Sequence, residues 1–100
     1  MTLETAYNRI TEVQKDTLKE LQEIYQKQKT FRNLNTYELL EATYIQRLNI
    51  VNNEIEYLSN LLLLNYDKTY GGYENVYSKL YNNLQHHFSR PIEKWFENRI

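Results

Sequence analysis

Apolar residues along this chain recur at the three- and four-residue spacings that place them on one side of an α-helix. From about residue 2 to 29, Leu3, Ala6, Tyr7, Ile10, Val13, Leu18, Leu21, Ile24 and Tyr25 share one arc. Glu4, Asn8, Glu12, Lys15, Asp16, Lys19, Glu23 and Lys27 fill the other. The pattern predicts a first helix roughly 40 Å long with one wet face. Residues 30–34 lose the periodicity. Asn35 followed by Glu38 reads as a capping pair that opens a second helix over about 36–66. Two long helices with a short break between them predict an antiparallel hairpin.

The second helix is the informative one, because it carries two apolar stripes. Tyr37, Leu40, Tyr44, Leu48, Val51, Ile55, Leu58, Leu62 and Tyr66 fall within roughly 80°. Leu39, Ile50, Tyr57, Leu61 and Leu64 gather on what reads as the far, nearly opposite side. Leaving five such side chains in water forgoes roughly 1.5–3 kcal/mol each, so the pattern predicts a covering partner. Past a break marked by Gly71-Gly72, residues 73–88 read as a third helix. Its apolar arc of about 140° holds Tyr73, Val76, Tyr77, Leu80, Tyr81, Leu84, His87 and Phe88. Pro91 suits a first helical turn, with Ser89 or Arg90 as cap, and predicts a short last helix over about 91–99.

Arcs this wide ask for two neighbours each, which favours a bundle over a flat layer. The expectation is therefore one all-α domain over residues 1–100: the hairpin, a third helix and a short C-terminal helix in a three- to four-helix bundle. Leu39, Ile50, Tyr57, Leu61 and Leu64 are left over in that arrangement. Their predicted cover is a second copy of the chain, in a homodimer, or the last helix folded back, or both.

Composition sharpens this. Two glycines and one proline in 100 residues leave little punctuation for turns, as a few long helices require. The net charge of -1 supplies no global field toward nucleic acid or an anionic membrane. With no cysteine, disulfides and thiolate metal sites are excluded. The N-terminal residues do not read as a secretory signal, and Leu61–Leu64 falls far short of the roughly 20 apolar residues that span a bilayer. The expectation is a soluble, cytoplasmic protein with no membrane contact.

Candidate chemistry is sparse. His86 and His87 are adjacent, so on a helix they diverge by about 100° and do not chelate one ion together. No phosphate-binding glycine loop, nucleophile elbow or isolated acid pair is present, and neither catalytic residues, cofactor nor metal are expected. Two surfaces stand out. Lys27, Lys29 and Arg32, with Phe31 among them and no acid between Glu23 and Glu38, form a basic hairpin tip suited to phosphate or an acidic partner. Tyr70, Tyr77 and Tyr81 with Trp95 and Phe96 form an aromatic series suited to a protein partner.

The tyrosine- and asparagine-rich, glycine-poor makeup resembles that of small proteins of viruses and mobile elements, and that resemblance would put the protein in a host cytoplasm. The leading functional expectation is a non-catalytic, helical protein–protein interaction module that self-associates through helix 2. One alternative is a nucleic-acid accessory protein that uses the tip together with Arg90, Lys94 and Arg99. Another is a small inhibitor or adaptor that binds through its tyrosine- and tryptophan-rich end.

Overall fold

Thr2 starts the first helix. Its hydroxyl accepts the Thr5 amide at 3.1 Å, capping one of the open amides of the first turn, and its carbonyl accepts the Ala6 amide at 3.0 Å. A computed structural model describes residues 2–31, 34–64 and 72–99, with backbone alone for 28–31, 34–36 and 73. Helix α1 spans Leu3–Phe31 and α2 spans Leu34–Leu63. The non-periodic stretch predicted between them is mostly helical. Asn35 therefore lies inside the first turn of α2, not at its cap, and α2 stops short of the predicted end at Tyr66, which is outside the described residues. Gly72 sits at φ 70°, a left-handed conformation that a side chain would strain, and it leads into α3, Tyr73–Leu84.

The predicted break between the third and the last helix is absent. Gln85–Ser89 form a π-helical turn, in which the Arg90 amide bonds the Gln85 carbonyl five residues back, and α4, Arg90–Glu97, follows without a gap. Ser89 has helical angles and makes no capping bond, so it is not the cap its position before Pro91 suggested. Pro91 has no amide to offer the His87 carbonyl four residues earlier. Gln14 of α1 replaces that amide, donating from Nε2 to the carbonyls of His87 at 3.3 Å and Phe88 at 3.1 Å. Residues 73–97 thus form one rod of roughly 37 Å.

Among the described residues the chain is all-α, with no strand. Arg9 meets Glu54 and Glu20 meets Arg47, so α1 and α2 run antiparallel. Gln14 reaches Phe88 and Gln22 reaches Trp95 at sequence offsets of 74 and 73, so the third rod runs parallel to α1. Each rod touches the other two. Ile10, Leu21, Val51, Ile55, Phe88 and Ile92 are buried where the three meet. The last helix does not fold back over α2. It continues the third rod, stacking Phe96 on Tyr44 with ring centres 3.9 Å apart and setting Trp95 edge-on against Tyr25.

Candidate interaction surfaces

Packing on α2 can be followed around its axis at about 100° per residue, taking Leu39 as zero. Arg47 and Glu54, which reach α1, lie at roughly 60–80°. The main stripe centres at roughly 135° on that scale. Asn52, which bonds Ser89 of the π turn, lies at about 220°. Buried Ser59 and Leu63 share that third-rod flank. Helix α2 is therefore packed on two sides, but the second is the one with Asn52, Ser59 and Leu63, not the stripe with Leu39, Tyr57 and Leu64 from which a second packed side was expected. Two polar residues there hid it from a reading by hydrophobicity.

The second apolar stripe lies beside the α1 contact, about 125° from the main stripe, and is not its opposite. Within it, Ile50 and Leu61 are half-buried, and Leu61 packs on the core. Leu39, Tyr57 and Leu64 are exposed at 54%, 40% and 79%. Tyr57 carries the Arg9 guanidinium 5.4 Å above its ring. Leu39 and Tyr57, about five turns apart, fall on one line along the helix, and Leu64 lies about 20° off it. From Leu39 to Tyr57 the line runs roughly 27 Å along α2, and Leu64 follows in the turn at its end. Ile45, 51% exposed, points elsewhere.

The aromatic series is not brought together. Tyr77 and Tyr81 stack on each other at 6.0 Å in α3, whereas Trp95 and Phe96 lie about four turns further along the same rod, roughly 20 Å away. Phe96 is buried on Tyr44, so it offers no surface. Tyr70 lies outside the described residues. Expected as one partner surface, these rings are instead spread along a single rod, because the last helix continues the third. Of the basic tip, Lys27 is exposed; the side chains of Lys29 and Phe31 and all of Arg32 lie outside what is described. Arg90 pairs with Glu93 at 3.1 Å and Glu97 at 3.3 Å, which removes it from the set of free phosphate contacts.

Other features were not legible in the sequence. Leu3, Tyr7, Leu58, Leu62 and Leu84 line an open apolar groove of about 400 Å³ between the three rods, with Glu4 and Asn8 completing it. Tyr7 also packs edge-on against Phe88, and its hydroxyl stands 3.4 Å from His87 Nε2. Both histidines are exposed, and the described residues hold no cluster of three metal-ligating side chains. Burial first, then Glu93 and Glu97, push the Tyr44 hydroxyl above its ordinary ionisation range, with Arg90 partly offsetting them. Tyr77 is raised too, by burial and then by Glu56 and Tyr81. Among the described residues no helix is long and apolar enough to cross a membrane. The chain matches no protein-family model, no curated protein and no solved structure.

Proposed function

We propose that the chain is a non-catalytic helical interaction module, a bundle of three rods that pairs with a second copy of itself along α2. The observation that carries this is the pair Leu39 and Tyr57 on one side of α2, with Leu64 in the turn just past its end, three large side chains left exposed. Scattered exposed apolar residues are ordinary, but alignment over five or more turns is what a helix–helix seam uses. Pairing two such lines about a two-fold axis puts the same residues on both sides, so one sequence change alters the interface twice. Ile50 and Leu61, half-buried beside α1, would form the inner flank of that seam.

Sedimentation equilibrium tests the proposal. Wild-type protein is expected at twice the chain mass of 12.2 kDa. A Leu39→Gln/Leu64→Gln variant is expected at the chain mass with unchanged helical circular dichroism, since neither side chain is part of the core. A wild-type protein that stays at the mass of one chain at high micromolar concentration would remove the proposal, as would a variant that still pairs.

A further inference from the structure

Two ion pairs tie α1 to α2, and their polarities are opposite. In the C-terminal half of α2 the cation belongs to α1, with Arg9 Nη2 2.6 Å from Glu54 Oε2. Two turns earlier the cation belongs to α2, with Arg47 Nε 2.7 Å from Glu20 Oε2. Arg47 and Glu54 lie at roughly 60–80° round α2 from Leu39, so they border the exposed line of Leu39 and Tyr57 on its α1 side. The side chains of Arg9, Glu20 and Arg47 are 42%, 38% and 40% exposed and that of Glu54 20%, so both pairs stay open to a further charge.

The exposed line has heptad spacing. Ile50 and Tyr57 take one set of seam positions, Leu39, Gln46 and Asn53 take the other, and Arg47 and Glu54 are the residues that flank them. On the opposite flank, Ala42 and Asn49 are uncharged. Orientation decides which flanks meet. A two-fold axis across the helices makes the pair antiparallel and sets each flank against its own copy, whereas an axis along them makes it parallel and sets each flank against the other. In the antiparallel pair Arg47 meets the second copy's Glu54, and Glu54 meets its Arg47. The charges then alternate across four helices: Arg9, Glu54, and the second copy's Arg47 and Glu20. In the parallel pair Arg47 and Glu54 meet Ala42 and Asn49. Residues 47 and 54 are centred near Val51, as are 39 and 64, so the axis that joins the charges also brings Leu39 opposite the second copy's Leu64.

We propose that the second copy docks antiparallel along α2, about a two-fold axis near Val51, and that Arg47 and Glu54 select this orientation; the inference rests on the self-association proposed above. Exposed ion pairs add little strength each. Their effect is on choice, because one orientation completes the charge row and the other leaves its members facing neutral side chains. Leu39, Tyr57 and Leu64 supply the apolar contact. Exposed Glu12 and Asp16 are on α1, a helix width back from the seam, where salt screens their repulsion of the second copy.

The chain has no cysteine, so a single introduced one reports its own position. Leu39→Cys and Leu64→Cys, oxidised together, are expected to form a mixed disulfide. Leu39→Cys alone should stay unlinked, since the antiparallel pair holds its two copies roughly 36 Å apart, far beyond disulfide reach. Charge reversal tests the selection. Arg47→Glu and Glu54→Arg each set like charges together twice, and each is expected to weaken its own pairing roughly tenfold with helical dichroism kept. Mixed, they restore opposite charges at both contacts, and native mass spectrometry should show the mixed pair in excess of either homodimer. Lys79→Glu mixed with Glu74→Arg, the same charge changes on exposed positions of α3, should pair at random. Self-linked Leu39→Cys, or a preference no greater than that of the α3 variants, overturns the orientation and leaves self-association standing. A wild type that sediments as one chain removes both.

Discussion

Ser89 and Ser59 are both wholly buried, yet their hydroxyls have opposite situations. Ser89 Oγ donates to Asn52 Oδ1 at 2.7 Å, joining the π turn to α2, while Ser59 Oγ has no hydrogen-bond partner. Removing a bonded buried hydroxyl strands its partner, whereas removing an unbonded one relieves a desolvated group. Urea unfolding should therefore show Ser89→Ala less stable by about 1–2 kcal/mol and Ser59→Ala unchanged or slightly more stable. Equal losses for both would mean that packing, not hydrogen bonding, governs these sites. Tyr44 adds a pH dependence. The folded state holds its hydroxyl proton more tightly than the unfolded chain, whose value is near 10.0. Its contribution is thus complete below pH 10 and declines as the pH rises beyond it. As the pH rises above 10, Tyr44→Phe should lose less thermal stability than wild type does.

The third rod depends on an exchange of donors between elements. Pro91 leaves a carbonyl without its amide in the middle of a continuous helix, the π turn accommodates the ring, and Gln14 of α1 supplies the missing hydrogen bonds. Gln14→Leu should destabilise the protein by about 1 kcal/mol or more. With Pro91→Ala in the same chain, an amide returns to the helix and the Gln14 substitution should matter less. A double-mutant cycle in chemical denaturation measures this coupling, and purely additive effects would show that Gln14 does not compensate for Pro91. The same turn also tunes direction. It lets α4 run on along α1 and α2, so Phe96 reaches Tyr44 and Trp95 reaches Tyr25.

The whole molecule is long for its mass, with extents of 58 × 23 × 16 Å and a radius of gyration of 16.5 Å. A compact chain of this length has a radius of about 13 Å. Its accessible surface of 6957 Å² exceeds the roughly 6,100 Å² typical of a monomer of this mass. An elongated shape buries less of each helix and leaves room for a line such as Leu39, Tyr57 and Leu64 to stay in water. Self-association would recover part of that surface, and stability would then depend on concentration. The midpoint of thermal unfolding should rise by a few degrees over a hundredfold increase in protein concentration. In Leu39→Gln/Leu64→Gln it should not move. A wild-type midpoint independent of concentration would contradict pairing.

Helical class was written into local order. Three- and four-residue spacing of apolar side chains and the scarcity of glycine and proline act within a few turns, so the sequence alone determined that this chain is built of long helices, each with an apolar face to cover. What covers each side is a non-local matter, and it was decided by the tertiary structure. Asn52 and Ser89 look like solvent-facing residues one by one, yet Ser89 is buried and Asn52 half-buried because α2 and the π turn meet there. Pro91 signals a new helix locally, but Gln14, from the opposite end of the chain, allows the old one to continue. Trp95 joins α4 to Gln22 and Tyr25 of α1 through the parallel run of two rods, a pairing that no periodicity within either helix encodes. Periodicity gives each helix its faces; only side chains from distant segments, competing for the same buried space and the same hydrogen bonds, determine which faces meet.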